Sequence, residues 1–291
     1  MNEKDDYRTL YRNIMKVNGD RMRKTRSCIC KKISILSMAF VLLGIMTTGC
    51  SKNSARSTKD SIGIIGAMDS EVDTLKEATV EKKSTTVAGM EFVEGKLKGK
   101  NVVIVKCGVG KVNAGICADL LINHFGCSRI INTGVAGSLN NAINIGDIVV
   151  SVDAVQNDFD ATALGFDKGQ IPYTDMCIYT ADETLRQTAV SAAKETAPDK
   201  NVFEGRICSG DQFIATPEQK DKIIADFNGM CSEMEGAAIA QACYLNNTPF
   251  VIIRAISDKE DGSQHIEFET FQEEAAKNCA NIVEYIVEKM E

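Results

Sequence analysis

Histidine is scarce in this 291-residue chain, which holds two, His124 and His265. A histidine-rich metal site or a Ser-His triad therefore has little to work with, and no metal or other cofactor is expected. Eleven cysteines are present, but the eight at positions 107, 117, 127, 177, 208, 231, 243 and 279 form no CxxC pair and mostly sit inside apolar runs. Scattered this way they read as buried small hydrophobes rather than as a disulfide framework. A phosphate-binding P-loop is missing too: Cys107-Gly108-Val109-Gly110-Lys111 lacks the G-x-x-x-x-G-K-[ST] frame and the third glycine of a dinucleotide fingerprint. It reads as a glycine-rich turn from strand to helix. The apolar run at residues 33–46 falls short of the ~20 residues that a membrane span needs.

What is present suits one sizeable globular core, with 44% hydrophobic and 25% charged residues, preceded by a distinct appendage. Residues 1–49 carry ten Lys/Arg against four acids, net +6, so the rest of the chain carries net −13. A body this acidic is repelled by nucleic acid and anionic lipid, which points to a neutral or cationic partner.

The apolar run follows Lys31-Lys32, is sized like a signal-peptide core, and ends in Thr47-Thr48-Gly49-Cys50. A Gly-Cys pair there resembles a bacterial lipoprotein lipobox, although Thr47 stands where Leu is usual and the leading charged region is long. The expectation is a signal peptide over 1–49, lipidation at Cys50, a polar tether over 50–60 and the main globular domain over 61–291, on the outer face of the cytoplasmic membrane. Membrane contact would then be through the lipid alone. Translation from Met22, an uncleaved signal anchor, or a cytoplasmic protein with a misread N-terminus are the alternatives.

Along the body, residues 61–66 read as a β-branched strand, and 67–72 enter a helix. Residues 90–98 and 101–106 read as strands, with a helix from the glycine turn to about His124. A strand over 130–133 leads into a loop of small residues, Gly134-Val135-Ala136-Gly137, which allow close backbone approach to a ligand. Residues 147–152 form another strand and 181–196 a helix. Thr216-Pro217-Glu218-Gln219 is a strong helix start, with a capping Thr, Pro at the first position and Gln three residues on. A last helix runs over about 270–289. Strands alternating with helices argue for a three-layer α/β/α sandwich around a central mixed, mostly parallel sheet.

The chain is organised around residues 232–258, SEMEGAAIAQACYLNNTPFVIIRAISD. Helical spacing of Met234, Ala237, Ala238, Ile239, Ala242 and Cys243 puts Glu235 at a helix N-terminus. After the break at 246–249, residues 250–253 read as a strand buried on both faces, with Arg254, Ser257 and Asp258 at its C-terminal end, where open α/β sheets bind ligands. A capping Glu235 and a turn-forming Asp258 is the plain structural reading of either acid alone. Two acids and an arginine converging from adjacent elements favour a site.

Seven collinear motifs, IGIIGAMDSEV (62–72), GVGKVNAG (108–115), INTGVAG (131–137), GDIVVS (146–151), SGDQFI (209–214), SEMEGAAIA (232–240) and FVIIRAISD (250–258), resemble the bacterial 5′-methylthioadenosine/S-adenosylhomocysteine nucleosidases of the nucleoside phosphorylase superfamily. The resemblance covers residues 62–291. It implies that Glu71 is the base that activates water and Asp258 the acid that protonates purine N7, supported by Ser257. It implies further that Glu235 binds the ribose hydroxyls with Met234 against the sugar, that Arg254 holds Glu235 and the water, and that Phe213 stacks on adenine while the Ile214 backbone reads its edge. Phe268 would contact the 5′-thio substituent. Met68, Val135, Ala136, Gly137 and Glu233 would complete the substrate pocket, with Leu164 and Pro172 reaching into the other subunit of a homodimer. Val135 departs from a frequent Ser, Asn157 from a frequent His, and Asp69-Ser70 from a more acidic pair.

Cleaving a purine N-glycosidic bond builds positive charge on the sugar while the base gains negative charge, so two carboxyls serve, one protonated and one ionised. Burial at a strand end is expected to raise Asp258. Competing readings are a phosphorylase of the same superfamily, which would need a basic phosphate site, and a lipid-anchored nucleoside-binding protein without catalysis.

Overall fold

The computed structural model describes residues 60–174, 176–259 and 264–290. The expected signal peptide, Cys50 and residues 51–59 of the expected tether lie outside the described residues.

The sheet begins with β1 (Ser61–Gly66), buried along its whole length. It is parallel to β4 (Lys100–Lys106) on one side and to β5 (Cys127–Ser138) on the other. An antiparallel run of β2 (Val80–Val87), β3 (Met90–Leu97) and β4 extends the sheet to one edge. On the other side β5 is parallel to β10 (Phe250–Asp258), which is antiparallel to β6 (Ile148–Gln156). From β6 the pairing continues to β8 (Val202–Ser209) and the short β9 (Cys231–Glu233), which returns to β5. The pairings β5–β10–β6–β8–β9–β5 thus close into a ring, while β7 (Ile178–Thr180) pairs only with β6.

Helices cover both faces. On one, α6 (Gln264–Lys289) packs over β10 and β5 through Ala275, Ala276, Cys279, Ala280, Ile282, Val283, Ile286 and Val287, which recur at helical spacing. It is flanked by α1 (Asp69–Ala78) and α3 (Glu183–Thr196). On the other face α2 (Lys111–Asp119), continued by a π-helical turn at Leu120–His124, packs against α5 (Gly236–Leu245). Outside these, α4 (Pro217–Phe227) starts with the expected capping box, in which Thr216 Oγ1 accepts from Gln219 N and Gln219 Oε1 from Thr216 N. A three-layer α/β/α arrangement around a mixed sheet is the result. Residues 162–166 group apart from this body as a single 3-10 turn, Thr162–Leu164, closed by Gly165 N donating to Thr162 O.

Several elements differ from the sequence expectation. The GVAG segment is not a loop: β5 runs through it, because residues 134–137 pair with β10 and residues 137–138 with β9. Neighbours on both sides supply the hydrogen bonds that hold small residues extended. For the same reason β10 continues past Ile253 to Asp258, placing Arg254, Ser257 and Asp258 inside a strand. Four strands were not expected at all: β2 is polar and mostly exposed, β8 has a mixed pattern, and β7 and β9 have three residues each. The antiparallel β2–β3–β4 run also interrupts the alternation of strands with helices.

Candidate active site

The strand ends and helix starts converge on a cavity of about 310 Å³, within the range of small-ligand sites. Four carboxylic residues line it, Glu71, Glu233, Glu235 and Asp258, with Met68, Val135, Phe213, Ile214, Met234 and Phe268 among its apolar walls.

Glu71 stands in the first turn of α1 and folds back over the helix N-terminus. Its Oε2 accepts from Ala67 N at 2.5 Å and Met68 N at 3.0 Å, and its Oε1 from Val135 N at 3.1 Å. Free helix N–H groups favour a carboxylate there. Gly134 makes the approach possible, since a Cβ at that position would lie 2.5 Å from Glu71 Oε1. Burial pushes the Glu71 carboxyl above its ordinary value, opposed by Arg254 and by those backbone N–H groups. A carboxyl held by three backbone N–H groups keeps a fixed position in the cavity wall.

Arg254 lies behind the cavity, 2% exposed. Its Nη2 donates to Glu233 Oε2 at 2.5 Å and to Asn132 Oδ1 at 2.6 Å, and its Nη1 to Ile253 O at 3.1 Å. Burial works against its charge, but Glu233, Glu71 and Glu235 together hold the guanidinium above its ordinary value. Glu233 is saturated from within the protein: beyond Arg254 it accepts from Ser209 Oγ, Glu235 N and Gly236 N. It therefore caps α5 and neutralises the arginine, while leaving little capacity for a ligand.

Glu235, the N-cap residue of α5, accepts from Gly110 N at 2.7 Å. Gly110 has φ +99°, a conformation that glycine tolerates, so the glycine turn before α2 serves to hold Glu235. Burial, then the neighbouring Glu233, push the Glu235 carboxyl up to about 8, against Gly110 N–H and Arg254. Asp258 is buried at the end of β10, where Ser257 Oγ donates to its Oδ1 at 2.7 Å. Across the cavity, Phe213 is half exposed, and its ring meets that of Phe268 edge-on at 5.9 Å.

Among the described residues, no group of three or more His, Cys, Asp or Glu is placed to hold a metal ion. Among the described residues, no lysine or arginine side chain lines the cavity. Lys111, the lysine of the GVGK turn, is tied to Asp158 Oδ1 at 2.5 Å and Gln156 Oε1 at 3.2 Å.

Residues 61–288 match the family model of the phosphorylase superfamily. A 5′-methylthioadenosine/S-adenosylhomocysteine nucleosidase of Staphylococcus aureus (strain bovine RF122 / ET3-1) is 43% identical over 230 residues, spanning 79% of this chain and all of the relative. The chain belongs to the 5′-methylthioadenosine/S-adenosylhomocysteine nucleosidase family. Solved nucleosidases of similar fold include that of Neisseria meningitidis in complex with methylthio-immucillin-A, with a TM-score of 0.77, 37% identity and coverage of 79% of this chain and 100% of that one. Another is that of Colwellia psychrerythraea 34H in complex with adenine, with a TM-score of 0.76, 39% identity and coverage of 79% and 95%.

In this nucleosidase-family chain the fold brings Met68, Glu71, Val135, Ala136, Gly137, Phe213, Ile214, Glu233, Met234, Glu235, Ser257, Asp258 and Phe268 to one cavity. Arg254 supports it from behind. Pro172 does not line it, and Leu164 is exposed on the 3-10 turn. Asn157 is buried beside the Gly210 turn rather than in the cavity, and Asp69 forms an exposed ion pair with Lys106. Sequence reading passed over Ala67, Val109, Gln212 and Ser232, which also line the cavity, and the supporting Asn132 and Ser209. Ser209 and Ser232 lie inside recognised motifs, and their position there is the one signal that could have flagged them.

Proposed function

We propose that this protein hydrolyses the N-glycosidic bond of 5′-thioadenosines, 5′-methylthioadenosine and S-adenosylhomocysteine, to adenine and the 5′-thioribose. The observation that carries the reading is that Glu71 and Asp258 face one cavity from different elements in a chain 43% identical to such a nucleosidase. Glu71 takes a proton from the attacking water, its carboxylate held by three backbone N–H groups. Asp258 delivers a proton to purine N7 as the bond breaks, and Ser257 orients its carboxyl. Glu235 anchors the ribose hydroxyls beside the centre where positive charge develops. Phe213 stacks on the base, and Phe268 meets the 5′ substituent.

Water rather than phosphate is the nucleophile in this reading. Phosphorolysis needs a cationic anion site, whereas the cavity is lined by four carboxylic residues and Lys111 is committed to Asp158. Residues 51–291, incubated with methylthioadenosine, should release adenine in phosphate-free buffer. A strict phosphate requirement would establish a phosphorylase, and bound but intact nucleoside a binding protein. Replacing Asp258 with Asn should lower turnover by about 10²–10⁴ while the protein stays folded.

The working unit in this proposal is a homodimer, in which Leu164 and Pro172 reach the other copy's pocket. Exposed Val112 and Ile116 on α2, with Tyr244 and Leu245 on the adjacent α5, support it, because burying such residues drives association. A monomeric mass by light scattering would overturn it. The proposed domain plan is a signal peptide at 1–49, a tether at 50–60 and the nucleosidase at 61–291, with lipid on Cys50. Labelling with a clickable fatty acid should mark the wild type and spare Cys50→Ser. Label persisting in the Ser variant would refute the anchor.

A further inference from the structure

One buried thiol touches the machinery from behind. Cys279 projects from the middle of α6, fully buried, and its Sγ donates to Gly134 O at 3.2 Å, with Ile253 O further off at 4.0 Å. The carbonyl of Gly134 and the N–H of Val135 belong to the same peptide group. That N–H is one of the three donors to Glu71, at 3.1 Å from Oε1. The chain of contacts therefore runs from thiol to carbonyl, through one rigid planar unit, to the carboxylate. A donor on the carbonyl polarises the peptide and strengthens its N–H as a donor, as hydrogen bonds in series do at low dielectric.

Resting on the reading of Glu71 as the base, we propose that Cys279 is a positioning residue for it, acting through the Gly134–Val135 peptide. The thiol fixes the plane of that peptide so that its N–H points at Glu71 Oε1, and the bare Cα of Gly134 lets the carboxylate close on it. Burial pushes the thiol up to about 11, so it remains a donor at neutral pH. Among the described residues, the titratable and charged groups around Glu71 are Arg254 and Asp258 of β10, Glu233 of β9, Glu235 at the head of α5 and Cys279 itself. Arg254 favours the ionised base and the acids oppose it. Removing the thiol's donor weakens the Val135 contact, so Glu71 should hold its proton to higher pH.

Ala and Ser are nearly the same size, so Cys279→Ala and Cys279→Ser leave similar space and differ in the donor. The pH dependence of kcat for methylthioadenosine hydrolysis is to be measured for both and for wild type, with Glu71→Gln alongside. The acid limb of Cys279→Ala should move up by about 0.5 pH unit, the size expected for one weak S–H···O contact. That of Cys279→Ser should stay with wild type. If the Ala protein does not fold, Cys279→Val, which lacks the donor but fills the site, takes its place. Superimposed limbs for all three, or equal shifts in the two variants, would reduce Cys279 to packing and overturn the proposal. Turnover persisting in Glu71→Gln would instead overturn the assignment of the base, a different failure read from a different protein.

Discussion

Arg254 and Glu233 form an ion pair inside the protein, Nη2 to Oε2 at 2.5 Å, with both side chains almost wholly shielded from water. Arg254 sits under the cavity and Glu233 in its wall, and the pair separates the two acids of the SEMEG motif. Glu233 turns inward to the guanidinium, whereas Glu235, two residues on, meets Gly110 N and lines the cavity. Removing Glu233 should therefore act on stability first. Glu233→Ala leaves a buried, uncompensated charge, which costs about 3–5 kcal/mol and lowers Tm by about 10 °C in a domain of this size. A thermal melt tests it. A Tm unchanged within about 2 °C would mean that Arg254 finds other partners.

Glu71→Gln and Glu235→Ala should fail in different ways. The first keeps the shape of the pocket and removes the proposed proton acceptor, so nucleoside should bind without turning over. The second removes the proposed hydroxyl anchor and should weaken binding by about 10–100-fold, as for other hydrogen bonds to ionisable groups. Isothermal titration on both variants separates these effects. Equal losses of affinity would show that the two acids share one role.

Gly134→Ala should damage catalysis out of proportion to stability. The added methyl would sit 2.5 Å from Glu71 Oε1 and 2.9 Å from its Cδ, so the carboxylate must swing away. Displacing the proposed base by that much should cost about 10²-fold in kcat. Steady-state kinetics with a parallel circular dichroism melt checks it, and wild-type kcat in the variant would contradict the close packing.

Stability should fall as pH rises from mildly acidic to mildly alkaline. Glu235 is raised from its ordinary 4.5 to about 8, so between those values the folded protein holds a proton that the unfolded chain releases. Fewer protons bound on unfolding means that each step up in pH favours the unfolded state, until Glu235 ionises in the folded state too. Glu71, raised in the same direction, adds to the slope. Urea titrations at about pH 5.5 and about pH 8 should show the fall in wild type and a shallower one in Glu235→Gln. Equal slopes would place the coupling elsewhere.

The sequence by itself determined the local features whose causes are local. The buried run of β1, the capping box of α4 and the break after α5 each follow from a few adjacent residues. The seven motifs also carried the family, and most of the residues singled out from them line one cavity, because strand ends and helix starts converge there. Only the tertiary structure decided how those residues divide their work. GVAG reads as a loop from its composition and becomes strand because β10 and β9 pair with it. Glu233 and Glu235 look equivalent in SEMEG, yet one is saturated by Arg254 and Ser209, more than twenty residues away in sequence, and the other meets Gly110, 125 residues distant. The contact between Cys279 and Gly134 spans 145 residues. Hydrogen bonds across such separations leave no trace in local spacing or periodicity, so the closed pairing of the strands had to place them.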